Sequence, residues 1–315
     1  MTTPKATHGF IDPRALMRIK SLQMRARVVV EGFYRGLHRS PYHGFSVEFS
    51  EYRDYTPGDD PRYLDWRLYA RSDRYCIKRF EDETNLRCHL VVDASRSMGD
   101  ASESISKWEY ARTAAATIAY FLTRQRDAVG LATFEDRVVD YLPPRHRPGH
   151  LHRLMAILQR EPLGKATNFA GPLEEIVCTV HRRSLFVLLS DLLVPAVTVR
   201  TTLGNLRAVG HDVIVLRVLD PAEEAFPFAT PALFHDAESG RELFIDPQRE
   251  AEPYRQRFAA HGAEVQRACA DLGVEFVQLN TDRPLELVLF DLLKARMQRG
   301  RQPGRRAAPG RGGAR

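Results

Sequence analysis

The chain has 315 residues, and 46 Lys and Arg against 40 Asp and Glu give a formal net charge of +6. Hydrophobic residues make up 43% and charged residues 27%, the balance of a soluble globular protein with room for one large domain or two small ones. Collagen-like, broadly disordered and disulfide-scaffold chains are excluded. No apolar run approaches the roughly 18 residues needed to span a bilayer; the best, residues 185–193, is broken by Ser190 and Asp191. Residues 1–10 carry no apolar core for a secretory signal. Cys76, Cys88, Cys178 and Cys269 form no Cys-x-x-Cys pair, so reduced thiols in a cytoplasmic protein are expected, not a zinc site.

The first segment, residues 1–86, opens with a basic stretch at 14–39 that includes the short apolar run at 28–30. A denser stretch follows at 48–83, with 17 charged residues in 36 positions. Eight aromatics are interleaved with those charges: Phe49, Tyr52, Tyr55, Tyr63, Trp66, Tyr69, Tyr75 and Phe80. Mixed Arg, Tyr and Trp is the composition of contact surfaces; the same aromatics would also serve to pack this region against its neighbour. At the other end, residues 299–315 hold six arginines and no acid. Removing those six leaves 40 basic against 40 acidic residues, so the body is neutral and the excess charge sits in the tail. Residues 298–315, an Arg/Gly/Pro tail, cannot bury enough apolar surface to offset ordering entropy and are expected to be disordered.

Residues 87–297 alternate strand and helix patterns. Residues 86–93 are a short apolar run ending in an acid. Ile105, Trp108, Ala111, Ala115, Ile118 and Leu122 then repeat at helical spacing. Strands are expected at 128–134, 137–142, 184–190, 212–219 and 274–279, and helices near 151–159, 171–181, 199–209, 248–272 and 284–298. A hairpin is expected at 233–245 around Glu238-Ser239-Gly240. This alternation predicts an α/β fold with a mostly parallel central sheet and helices on both faces. Ligands of such sheets bind beyond the carboxyl ends of the strands.

The loops at those ends carry Asp93-Ala94-Ser95-Arg96-Ser97, Thr167 and Asp191. All the donors are hard oxygens, with no His or Cys among them, which suits Mg²⁺ or Mn²⁺. In an extended turn alternate residues point the same way, so Asp-x-Ser-x-Ser is able to aim three oxygens at one point. The same residue types also make ordinary turn caps.

This constellation resembles the metal-ion-dependent adhesion site of von Willebrand factor A domains over residues 87–297. The resemblance implies that Asp93, Ser95, Ser97, Thr167 and Asp191 are the ligands, the serines directly and the carboxylates mainly through water. Residues 48–55, 58–62, 64–66 and 70–71 (Glu-Phe-Ser-Glu-Tyr-Arg-Asp-Tyr, Gly-Asp-Asp-Pro-Arg, Leu-Asp-Trp and Ala-Arg) resemble the signature of the domain of unknown function 58 family. That family joins such a signature to an A-type domain. It shows Gly-Thr followed by Asp where this chain has Ala166-Thr167-Asn168. The resemblance further implies a metal-dependent protein-binding module that partners a MoxR-type AAA+ ATPase and captures a client protein through a client Asp or Glu.

Other classes fare worse on the residues. Ser95 is not in a Gly-x-Ser-x-Gly elbow, so no enzyme is expected, and a hydrolase using Ser95 is the least favoured alternative. Gly164-Lys165 lacks the first glycine and the hydroxyl residue of a phosphate loop. A nucleic-acid-associated protein would have to rely on the basic tail and the basic N-terminal stretch, because no recognition motif is present.

Overall fold

The computed structural model describes residues 10–39, 52–54, 76–78, 86–99, 101–102, 105–162, 168–235 and 242–290. Most of the aromatic stretch at 48–83, Thr167, the tip of the expected hairpin and the arginine tail lie outside these residues. The chain opens with helices α1 (Pro13–Met17) and α2 (Leu22–Arg39), then a small antiparallel pair, β1 (Tyr52–Asp54) with β2 (Cys76–Lys78). Next come β3 (Arg87–Asp93), α3 (Lys107–Arg124), β4 (Ala128–Phe134), β5 (Val138–Arg145), α4 (His150–Leu158) and α5 (Ala170–Thr179). The chain continues through β6 (Leu185–Ser190), α6 (Ala196–Ala208), β7 (Asp212–Leu219) and the short α7 (Pro221–Ala225). It then forms the hairpin β8 (Ala232–His235) and β9 (Glu242–Ile245), the long α8 (Pro247–Asp271) and β10 (Glu275–Asn280). Residues 285–290 are helical.

The central sheet has six strands in the order β10-β7-β6-β3-β4-β5. Every pairing is parallel except β4 with β5, which is antiparallel at one edge. The mostly parallel sheet expected from the sequence is therefore present. Both its faces are covered, which is why residues 90–92 of β3 and 185–189 of β6 read as unbroken apolar runs and not as alternations. The period of two still sorts their side chains. Leu90, Val92, Val187 and Leu189 enter one core with α2, α3 and α4; Val91, Phe186 and Leu188 enter the other with α5, α6 and α8.

The N-terminal helices belong to the first core. Ala26, Val29, Val30 and Phe33 of α2 are fully buried there, a stripe at helical spacing. Phe33 meets Phe121 of α3 edge to face at 5.7 Å between centroids, and Arg25 pairs with Glu109. The facing helix permits this approach because Ala111, Ala114, Ala115, Ala116 and Ala119 bury only methyl groups. Ser106 starts α3 by accepting from the Glu109 N–H at 3.1 Å. No helix among the described residues is long and apolar enough to cross a membrane.

Candidate functional site

The strand order creates a crevice. From β3 the chain fills one side of the sheet with β4 and β5, and then returns to the other side with β6, β7 and β10. The loops leaving β3 and β6 therefore diverge, and a sheet of this kind binds ligands at that switch point. Asp93 ends β3 and Ser190 ends β6 on adjacent, in-register strands.

Buried polar atoms are concentrated here. Asp93 is 1% exposed; its Oδ1 accepts from the Ser95 N–H at 2.9 Å and its Oδ2 from the Ser190 hydroxyl at 2.6 Å. The Asp93–Ser95 bond closes an Asx turn, the local conformation that Asp favours after a strand. Ala94 N–H donates to the Phe134 carbonyl at 2.8 Å, which holds the turn over β4. A single 3₁₀ turn, Arg96–Gly99, follows and is anchored by the fully buried Met98. Ser97 is thereby brought beside Ser95, with Oγ to Oγ at 3.1 Å. Burial first, and the neighbouring negative charge of Asp191 second, push the Asp93 carboxyl up to about 6.

Asp191 faces this turn from the β6 loop. Its Oδ1 accepts from the Leu193 N–H at 3.3 Å, and its Oδ2 from Lys107 Nζ at 2.8 Å. Lys107 has no solvent exposure and also reaches Glu223 Oε1 of α7 at 2.5 Å. Burial opposes the charge on Lys107, but the two carboxylates outweigh it and hold the ammonium above its ordinary range. Arg217 Nε donates to the Asp191 carbonyl at 3.0 Å. Between these fixed points Leu192 takes a left-handed backbone, φ 54°, that a branched side chain adopts only under constraint. Its fully buried side chain and its N–H bond to the Ser190 hydroxyl at 3.0 Å supply that constraint.

The family model described as "Protein of unknown function DUF58" matches residues 51–268. The chain belongs to the DUF58 family. An uncharacterized protein of Mycobacterium tuberculosis (strain H37Rv) is 30% identical over 288 residues, 89% of each chain. One of Mycobacterium avium is 32% identical over 163 residues, covering 51% of this chain and 94% of its own. Among solved structures, an aerotolerance-related membrane protein of Bacteroides fragilis covers 66% of this chain and 99% of its own at 14% identity and TM-score 0.46. BatB of Bacteroides thetaiotaomicron covers 67% and 99% at 15% and 0.45. The SpRpn10 VWA domain covers 65% and 93% at 12% and 0.42.

In this DUF58 chain the structure brings four of the five expected residues, Asp93, Ser95, Ser97 and Asp191, to one crevice. Thr167 lies outside the described residues. Its neighbour Asn168 donates its N–H to the Glu135 carbonyl at 3.2 Å, just past the end of β4. Among the described residues no group of three or more His, Cys, Asp or Glu is arranged to hold a metal; any cation here would depend on the serine hydroxyls. Those hydroxyls fit one. Adjacent ligands of an octahedral ion at about 2.1 Å lie about 3 Å apart, close to the observed serine separation. Sequence reasoning missed Ser190, Lys107, Arg217 and Glu223. Two left signals: a lysine in the first turn of a helix opposes the helix dipole, and a lone arginine interrupts the apolar β7.

Proposed function

We propose that this DUF58 chain is a metal-dependent protein-interaction module. The observation that carries the reading is the Ser95–Ser97 hydroxyl pair at 3.1 Å, flanked by Asp93 and facing Asp191. Ser95 and Ser97 would hold Mg²⁺ or Mn²⁺ directly, together with Thr167, and Asp93 and Asp191 would hold it through water. A bound divalent ion supplies an electrophilic position for a carboxylate from a partner protein. The chain's own residues do the rest. Lys107 and Arg217 orient Asp191 from behind, and Ser190 orients Asp93. The Ser95 hydroxyl lies beside the Ser97 hydroxyl and the Asp93 carboxylate, with no histidine or lysine against it among the described residues, an arrangement that suits ligation.

Membership of the family supports the finer reading that the partners are a MoxR-type AAA+ ATPase and a client protein. The stretch at 48–83, with Trp66, would be the metal-independent surface for the ATPase. Calorimetric titration of the full chain with MgCl₂ and MnCl₂ tests the core of the proposal. Wild type takes up the ion; Asp93→Ala does not, and although loss of this buried, doubly hydrogen-bonded carboxylate lowers its unfolding midpoint in chelator, circular dichroism shows the variant folded at the titration temperature. Equal metal affinity in the two proteins would sink the assignment.

A further inference from the structure

The body of the chain is neutral in sum, but the fold does not mix its charges evenly. Carboxylates gather at the carboxyl rim of the sheet, at Asp93, Asp191, Asp220 and Glu223. Arginines gather at the opposite edge, where the parallel strands begin. The pairing register joins them in one row. Arg145 of β5 stands opposite Val129, Val129 opposite Cys88, and Cys88 opposite Leu185. Arg87 directly precedes Cys88, Arg126 lies just before β4, and Arg182 and Arg183 lie just before Leu185. Three strand intervals make the row roughly 14 Å long. Among the described residues its acids are Asp127, which is buried, and Asp212, which Arg183 and Arg207 share at 3.2 and 3.0 Å. Arg126, Arg145, Arg147 and Arg182 are exposed and have no ion pair among the described residues.

Helix dipoles account for some of these arginines but not for all. α3, α5 and α6 end at this edge, where a cation is favourable. Arg145 and Arg147, however, precede the start of α4, whose cap is Gly149 and whose first turn carries no acid. There the dipole opposes a cation, and residues 141–160 hold four arginines and no acid. Arg126 is a second case. α3, α6 and α8 are each followed by a left-handed residue. Gly210 and Gly273 fill that position after α6 and α8, as glycine usually does, whereas Arg126 fills it after α3 at φ 64°. Unpaired like charges held against a dipole, or on a left-handed backbone, do not serve the fold; strain of this kind is a mark of functional positions.

Tyr141 of β5 supplies an aromatic ring beside the row. It is 37% exposed and lies nearly parallel to His89, with 15° between planes and 6.4 Å between centroids; His89 stacks in turn on Phe186. The charge of Arg87 reaches both Tyr141 and His89. We propose that this edge of the sheet, from Arg145 to Arg183 with Tyr141 beside it, binds single-stranded nucleic acid without sequence preference. Such strands are held by a basic track together with aromatic rings on which unpaired bases stack, and this edge carries both. At 3.4 Å per nucleotide of a stacked strand, the row accommodates about four nucleotides. A duplex keeps its base faces inside and has no use for Tyr141. A lipid surface calls for apolar side chains that project past the arginines, and Tyr141 lies against the sheet instead. The edge is at the far end of the strands from Asp93 and Asp191, so binding here is independent of any cation in the crevice.

The test is fluorescence anisotropy of labelled oligo-dT, fifteen nucleotides long, with the full chain in chelator across a series of NaCl concentrations. One variant removes three edge charges by Arg126→Gln, Arg145→Gln and Arg182→Gln. A charge-matched control removes three from the tail by Arg305→Gln, Arg306→Gln and Arg311→Gln. All six substitutions should keep the wild-type unfolding midpoint. The edge variant should lower the slope of log affinity against log salt by about 2, since each phosphate contact on a single strand contributes about 0.7. It should also bind at least tenfold more weakly than the tail variant. Tyr141→Ala should lose about tenfold with the salt slope unchanged, as expected for one stacked base, and Tyr141→Phe should restore binding. Equal losses in the edge and tail variants would overturn the proposal, because net charge alone would then explain the binding. So would no binding of oligo-dT, or a Tyr141→Ala chain that binds as wild type does. Edge-dependent binding of duplex DNA, phosphatidylserine vesicles or polyglutamate as tight as that of oligo-dT would overturn it in favour of another polyanion.

Discussion

The middle of the sheet and its carboxyl-terminal rim are built on opposite terms. In the middle, β3, β6 and β7 bury nearly every side chain against one of two apolar cores, and exchange of one aliphatic group for another is largely a matter of volume. At the rim, Asp93, Ser95, Ser190, Asp191 and Lys107 are just as buried, but each is held by a specific partner. Burial of a charge costs several kcal/mol unless it is paired. The rim therefore stores the constraint that a binding site needs and contributes little net stability. Removing one member there should hurt more than trimming a core methyl group, because the partners are left stranded.

Lys107→Ala gives the largest expected effect. It leaves Asp191 and Glu223 facing each other without their shared cation, and breaking a buried pair of this kind costs about 4 kcal/mol. Urea unfolding checks it. A loss below about 1 kcal/mol would mean that the rim is as tolerant as the surface.

His89 sharpens the comparison from within the middle of the sheet. It is buried on β3, stacks on Phe186 at 4.8 Å, and neither ring nitrogen has a hydrogen-bond partner among the described residues. Burial first, then the positive charge of Arg87, lower its pKa from an ordinary 6.5 to about 4. The unfolded chain then binds a proton between these values that the folded chain does not. The His89 contribution to stability is complete above pH 6.5 and is lost as pH falls toward 4, by roughly 3 kcal/mol in all. His89→Phe should keep the ring stack and remove this component. Unfolding free energies of both proteins at pH 7 and pH 5 would show it; identical pH dependence would contradict the assignment.

Ser190→Ala should cost about 2 kcal/mol, since it strips a hydrogen bond from a buried carboxylate and one from the strained Leu192 N–H. The variant should unfold at lower urea concentration with an unchanged slope.

The same contrast explains what was legible in the sequence. Strands of the middle announce themselves through apolar runs, and β3, β4, β6, β7 and β10 fall within a residue or two of expectation. The Asp93-x-Ser95-x-Ser97 turn was legible because its spacing is local. Lys107 and Arg217 were not, because their partners are 84 and 26 residues away, and tertiary pairing leaves only a misfit charge in each element. The α2 stripe at Ala26, Val29, Val30 and Phe33 was present in the sequence but interrupted by charge: Arg25 lies within the same interface, where it pairs with Glu109, 84 residues away. The short α7 was hidden for a different reason: five residues are too few to show a period, and only its start was marked, by the capping box at Asp220 and Glu223 and by Pro221 at the first helical position.

The central claim is that hydroxyls at the β3 end, with Asp191 opposite, hold a divalent cation. Anomalous scattering from crystals of the full chain soaked in MnCl₂ addresses it most directly. A manganese peak is expected within direct bonding distance of Ser95 and Ser97 Oγ, absent in Asp93→Ala. A peak elsewhere, or an empty crevice at saturating Mn²⁺, would contradict it.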